Sequence, residues 1–406
     1  MKNRLFLLSI VILSQFQYCF SQTTILQPAD MKYDLAVMKA TWENIHPGLY
    51  RFNSKEQIDN YFKVIDKKVD TAISLKHFFI LISQLNIKLK CGHSFVSYWN
   101  NKNELKEELF SKIVMPVMYN VIDNKFIITY NLTDNKQIKI GDEILAINGI
   151  PTKQIVDSLI TISKADGKNG LNKKLDNITI HKRDLNPKSY CTFDVFFPLF
   201  FKPNIDNENY ELTLKAGKRR KIILVKGFSK EQREQNYIAK NGIIPKNEQT
   251  WYLNEIDKNT VLFRLGDFTT YNWKFDFKKY LDSTFISINK KGYKNLIVDI
   301  RETEGGADEA RDAVLSYLVK KPFGCANPVR RLYKYISIPD SLSPYLDGWD
   351  DDFKKPKIGF KKTEDGFYEK ENVKLDCDEI SPNPNRFRGN LYLITDATNS
   401  SATFIM

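Results

Sequence analysis

Two short stretches of this 406-residue chain hold residue types that could do chemistry together. One is Asp396-Ala397-Thr398-Asn399-Ser400-Ser401-Ala402, which directly follows an apolar run over 390–395. The other is Asp299-Ile300-Arg301-Glu302-Thr303-Glu304-Gly305-Gly306, which follows an apolar run over 295–300. A serine hydroxyl is a weak nucleophile until a base takes its proton. Beside a glycine pair, whose backbone N–H groups no Cβ shields, it has the two parts of an acyl-transfer site: an attacking oxygen and donors for a developing oxyanion. Ser401 is the expected nucleophile, with the N–H groups of Gly305 or Gly306 and of Ala402 as the expected oxyanion donors. Taken singly, Ser400-Ser401 also fits a plain N-cap pair and Gly305-Gly306 an ordinary turn. A base must come from elsewhere in the chain. His93, in Cys91-Gly92-His93-Ser94, suits the task because imidazole titrates near neutrality. It also fits a turn that merely satisfies a helix end.

The three remaining histidines offer less. His46 precedes Pro47-Gly48 and closes a helix, His77 is expected on a solvated helix face, and His181 lies in the charged stretch His-Lys-Arg-Asp, read as surface. Asp347 and Asp350 to Asp352 form an acidic loop whose spacing fits no calcium loop. No CxxC pair occurs, so a zinc site is not expected, and no motif calls for a cofactor.

The elements around these residues fall into three parts. Residues 25–112 read as a helical domain: Leu35, Met38, Trp42 and Ile45 recur at helical spacing, Ser54 with Gln57 makes a capping box, and 75–89 gives a third helix that leads to His93. Residues 113–226 change to strand-like alternation over 113–117 and 125–130, then Gly141-Asp142-Glu143-Ile144-Leu145-Ala146-Ile147-Asn148-Gly149, a helix over 154–162, and strands over 210–214 and 221–225. Residues 227–254 are polar and read as a linker. Residues 255–406 alternate strand and helix: strands over 261–265, 295–300 and 390–395, helices over 275–290 and 308–319. Continuous apolar strands imply a sheet buried on both faces, and the fold class is multi-domain α/β. Both chemical stretches leave carboxyl ends of strands, where open α/β sheets bind ligands.

The Gly141-to-Gly149 phrase resembles the PDZ domain, which binds an extended peptide as an added strand. With the two loops and the order of the parts, nearly the whole chain resembles the C-terminal processing peptidases, also called tail-specific proteases, and their tricorn-like relatives. That family has a helical N-terminal part, a PDZ domain and an α/β core with an Asp-x-Arg-x-Asn-x-Gly-Gly loop and a Ser-Ala nucleophile loop. Asp299, Arg301, Gly305, Gly306, Ser401 and Ala402 match; Thr303 stands where Asn is usual, and Phe404 where many members have Glu. The resemblance implies a serine-type endopeptidase acting on polypeptides, with a base that is His93, as in the tricorn-like branch, or a Lys beyond Met406. It also leaves open a binding protein on the same scaffold, since the retinoid-binding protein of the photoreceptor matrix is similar to this family.

Composition agrees with a folded, exported protein. Hydrophobic residues make up 42% and aromatics 13%, which excludes a mainly disordered chain. The net charge of +12 is diffuse; its densest run, Lys215 to Lys221, reads as a basic hairpin turn, so a nucleic-acid partner is not expected. Lys2 and Arg4, the apolar run Leu5 to Leu13, and Cys19 and Ser21 ahead of a cut before Gln22 read as a signal peptide over 1–21, with export to periplasm, outer surface or medium. No transmembrane segment is expected. In an oxidising compartment Cys325 and Cys377 could pair; isolated buried thiols fit equally. The end at Ser-Ser-Ala-Thr-Phe-Ile-Met, inside an apolar stretch, reads as that of a fragment.

Overall fold

The computed structural model describes residues 23–97, 103–168, 170–201, 208–322, 324, 331–348, 352–371, 379–404 and 406. The leader expected over 1–21, Cys325, Cys377, Asp350 and Asp351 lie outside them. Cys91 and Cys191 are free thiols.

Three hydrophobic clusters divide the molecule. The first is helical. Pro28–Ile45 presents Met31, Leu35 and Trp42 inward, and Lys55–Lys68 presents Ile58, Phe62 and Ile65. The expected capping box is present: Ser54 Oγ accepts from Gln57 N, and the Gln57 side chain accepts from Ser54 N. His46 caps the first helix, and His77 is exposed. The third helix, Leu75–Asn86, is apolar on two sides, which is why it serves two bodies. Phe78, Leu81 and Leu85 face the helical cluster, whereas Leu75 and Phe79 belong to the next one.

The second body is a mainly antiparallel sheet whose strands run in the order Val117–Ile122, Lys125–Asn131, Glu143–Ile147, Asn209–Ala216, Arg219–Lys226. The strand expected over 113–117 begins only at its last residue; Val114 instead bridges to Phe228. The helices Thr152–Leu159, Leu171–Asn177 and Thr192–Phe200 pack with this sheet.

The polar segment 227–254 is not a free linker. It holds a capped helix, Lys230–Asn241, and the start of a strand. Arg233 and Tyr237 are its buried residues. Arg233 Nη2 lies 2.7 Å from Asp194 Oδ2 with both side chains almost fully enclosed, and it donates to Asp184 O at 2.9 Å. A charge without solvent must be paired, so this contact pins the helix to the second body.

The third body is a four-stranded sheet in the order Asn390–Ile394, Asn295–Asp299, Thr260–Leu265, Trp251–Asp257. The first three are mutually parallel and the last is antiparallel. The helices Phe277–Lys291 and Asp308–Ser316 cover it through Leu281, Phe285, Ile288, Ala310 and Val314. One expectation fails here. The strand over 390–395 was to be buried on both faces, yet Leu391, Tyr392 and Leu393 are 44%, 53% and 44% exposed. It is the outermost strand, paired on one side only, and no described element covers its faces.

Candidate active site

Parallel pairing of Asp299 with Ile394 brings the carboxyl ends of two strands side by side, so their loops meet. The glycine loop is braced at its base. The Asp299 carboxylate accepts from Arg301 N at 3.1 Å, Arg301 Nε at 2.9 Å, Arg301 Nη2 at 2.7 Å and Arg264 Nη1 at 3.1 Å. Burial works to raise its pKa, but the arginines and the backbone donor prevail and hold it below the ordinary carboxylate value. The Asp-x-Arg pattern is thus a structural clamp. Beyond it, Glu302 takes a left-handed backbone (φ 58°) with its N–H donating to Asp396 Oδ2 at 2.8 Å.

The 396–402 loop is tied to the glycine loop mainly by side chains. Asn399 Nδ2 donates to Ile300 O at 2.6 Å and to Thr303 O at 3.1 Å, while its Oδ1 accepts from Asp396 N at 2.9 Å. Thr403 Oγ1 lies 3.0 Å from Thr303 O, and Ser400 Oγ donates to Glu304 O at 2.9 Å. Thr303 Oγ1 donates to Leu265 O at 3.0 Å. Asn399, Glu304 and Thr403 were not singled out from sequence; nothing in their spacing marks them.

These ties bring Ser401 against the glycine pair. Ser401 opens a short 3-10 turn, Ser401–Phe404, is exposed, and has φ 53°. Left-handed backbone in a non-glycine residue is costly and signals a position fixed by its surroundings. Gly305 has φ 112°, and a methyl group on it would lie 2.7 Å from Ser400 O, 2.9 Å from Ala402 N and 2.9 Å from Ser401 Cβ. Gly306 has φ 149° and packs as tightly on Phe268, where a methyl would meet the carbonyl carbon at 2.2 Å. Ala307 N donates to Phe268 O at 2.7 Å, whereas the N–H groups of Gly305 and Gly306 carry no hydrogen bond among the described residues. Both glycines are therefore required by close approach and by conformation.

His93 lies on an exposed turn at the edge of the helical body. Gly92 N donates to Asp166 Oδ1 at 2.7 Å, and two residues past His93 the Phe95 ring lies 4.5 Å under Lys164 Nζ. No hydrogen bond joins the His93 imidazole to the Ser401 hydroxyl, and neither group has a partner among the described residues. Phe404, at the position often held by Glu, is 80% exposed.

The seam between the second and third bodies is highly charged. Glu304, the residue before Gly305, has Lys164 Nζ at 3.7 Å, Lys173 Nζ at 3.7 Å and Arg183 Nη1 at 3.6 Å. Desolvation acts to raise its pKa, yet the three cations hold it below the usual value. Lys173 shifts down, from burial first, partly offset by Glu304. His181 corrects its expected surface placement. It is 6% exposed, with Nε2 3.0 Å from Asp176 Oδ1. Around Glu304 lie two spaces: a cavity of about 240 Å³ with Phe95, Ile162, Tyr190 and Phe196 in its wall, and a cleft of about 510 Å³ that reaches Thr303, Glu304 and Gly305. Among the described residues no group of His, Cys, Asp and Glu is arranged to hold a metal ion, and no helix is long and apolar enough to cross a membrane.

Residues 111–195 match the PDZ domain, and residues 261–406 match peptidase family S41. A crystal structure of a CPAF mutant is similar over 93% of this chain and 80% of its own, with a TM-score of 0.56 and 13% identity, a likeness of fold. The photosystem II D1 C-terminal processing protease is similar over 94% and 77%, with a TM-score of 0.37 and 11% identity. No curated protein matches in sequence. A PDZ match thus lies ahead of a peptidase family S41 match that holds both Ser401 and the paired-glycine loop, and these matches indicate a serine peptidase.

Proposed function

We propose that the protein is an endopeptidase that cleaves peptide bonds within polypeptides, with Ser401 as nucleophile. The observation that carries the reading is the packing of Gly305 on the backbone of residues 400–402, which leaves glycine N–H groups unpaired beside the serine. In the reaction, Ser401 Oγ adds to the scissile carbonyl carbon and His93 takes the hydroxyl proton. The carbonyl oxygen, now negative, accepts from Gly305 or Gly306 and from Ala402. The C–N bond then breaks, the imidazolium proton passes to the leaving amine, and water resolves the seryl ester with the same groups. Support for His93 is its residue type and its place on a turn whose next aromatic, Phe95, reaches the Lys164–Glu304 pair beside the glycine loop. The PDZ domain captures the polypeptide as an added strand. The N-terminal pattern supports export.

The test is a fluorophosphonate probe with an unstructured polypeptide substrate. Wild-type protein is expected to label and to cleave, Ser401→Ala to do neither, and His93→Ala to label at least about a hundredfold more slowly. Labelling that persists in Ser401→Ala refutes the nucleophile; unchanged labelling in His93→Ala refutes the base.

A further inference from the structure

The nucleophile loop is gripped from the second body at one residue. Thr398, three positions before Ser401, is fully buried. Its hydroxyl lies 3.1 Å and 3.0 Å from Asp176 Oδ1 and Oδ2, and Lys173 Nζ donates to its carbonyl oxygen at 2.6 Å. Both side chains come from one short helix, Leu171–Asn177, more than two hundred positions away in sequence. Asp176 is itself fixed, by His181 Nε2 at 3.0 Å and with Arg183 Nη2 at 3.8 Å. Thr398 is fully enclosed, and the clasp gives both its hydroxyl and its carbonyl a partner, while its N–H donates to Asp396 Oδ1 at 3.0 Å.

We propose that Lys173 and Asp176 are positioning residues for Ser401, acting through Thr398 to hold the nucleophile loop in its catalytic shape. The proposal rests on the serine-peptidase reading for its effect on catalysis, though not for the clasp itself. The left-handed backbone at Ser401 is a conformation a serine keeps only where neighbouring contacts over-determine it. Asn399 and Thr403 tie the loop to the glycine loop, on the third body's side. The clasp ties it on the other side, so its loss frees the stretch just before the nucleophile. Displacement of a reacting atom by about 1 Å costs on the order of a hundredfold in rate. Because neither residue lines the cleft that reaches Thr303, Glu304 and Gly305, the loss is expected in kcat and not in KM.

Thr398→Val keeps the volume and removes the hydroxyl; Thr398→Ser keeps the hydroxyl. In the full chain Thr398→Val is expected to lower both kcat and the fluorophosphonate labelling rate about ten- to a hundredfold with KM within about threefold, and Thr398→Ser to recover most of the loss. Lys173→Met removes the other half of the clasp and serves, with the same expected fall, if Thr398→Val does not fold. Amide hydrogen exchange over residues 396–404 reads the clasp without catalysis, and it is expected to quicken about tenfold or more in Thr398→Val and to stay near wild type in Thr398→Ser. Unchanged kcat in folded Thr398→Val and Lys173→Met overturns the positioning role, and unchanged exchange overturns the clasp. Absent labelling of the wild type, with exchange as expected, overturns the peptidase reading and the catalytic role while the clasp stands.

Discussion

Gly305→Ala is the sharpest probe of the site, because the structure fixes what one added methyl group would meet. The new carbon would lie 2.7 Å from Ser400 O, 2.9 Å from Ala402 N and 2.9 Å from Ser401 Cβ, three backbone or near-backbone atoms of the nucleophile loop. Ordinary contact is roughly 3.5 Å, so the two loops must part by about 0.6–0.8 Å. Alanine at φ 112° adds strain of about 1–3 kcal/mol. Loss of alignment on that scale costs about a hundredfold, and each oxyanion donor displaced costs roughly 10²–10³ in kcat. The expected outcome is a fall in kcat of at least about a hundredfold, with KM nearly unchanged because the substrate cleft is not filled. Gly217→Ala is the control: its φ is +60°, nothing lies within 4 Å of the added carbon, and the turn belongs to a hairpin of the second body. It is expected to lose about 1–2 kcal/mol of stability and no activity. Steady-state hydrolysis of a polypeptide and labelling rates measure the first effect; urea denaturation measures the second. A Gly305→Ala enzyme whose kcat stays within about threefold of wild type would refute the claim that this glycine sets the nucleophile geometry.

Two further outcomes follow from single contacts. Asn399→Leu keeps the bulk but removes the bonds to Ile300 O and Thr303 O, leaving two carbonyls without these donors. It is expected to destabilise the third body by about 1–3 kcal/mol and to lower kcat by more than an order of magnitude, read by urea denaturation and hydrolysis rate. His181 supplies a pH signature. Burial and Arg183 oppose its protonation, but Asp176, with Asp184 adding to it, holds its pKa above the ordinary value near 6.5. A raised folded pKa means that the folded state binds the extra proton. The stabilisation is therefore complete below about pH 6.5 and is lost as pH rises through the folded pKa. Urea midpoints taken from pH 5.5 to pH 9 are expected to fall over that window in wild type and to flatten in His181→Gln; equal slopes would contradict the pairing.

The parts of the chain that sequence describes well are those whose signals are local. The Ser54–Gln57 capping box, the helical face of Ile58, Phe62 and Ile65, and the apolar strands Thr260–Leu265 and Asn295–Asp299 each need only their own residues, and all are found within one or two positions. Ser401 and the glycine pair are legible for the same reason, as short loops after apolar strands. What was not legible depends on distant partners. Lys230–Asn241 carries almost no apolar stripe, and only the Asp194 carboxylate waiting in the second body turns Arg233 into a buried anchor. His181 sits in a run of charges that reads as surface, yet it is buried against the Asp176 carboxylate. The exposure of Leu391 and Leu393 is equally invisible in an apolar run, because burial is decided by what lies on each face of the strand.

The same distinction explains how the glycine loop tolerates threonine at position 303. A side-chain amide there could bridge loops with two donors, whereas the Thr303 hydroxyl has one, directed to Leu265 O, with Arg301 O at 3.3 Å. The bridging amide comes from Asn399 in the other loop, which reaches back to Ile300 O and Thr303 O. The register of Asn295–Asp299 against Asn390–Ile394 makes this exchange workable, since both loops leave the sheet at paired residues. A motif read along one segment registers only a missing residue, while the folded site has the donor supplied across the strand pair. The Ser401 loop is then held by Asn399 toward the glycines and by Thr398 toward the second body, two adjacent residues bound in opposite directions. Ser401 stands two residues beyond that fixed point, which accounts for its strained backbone although its own side chain has no hydrogen bond among the described residues.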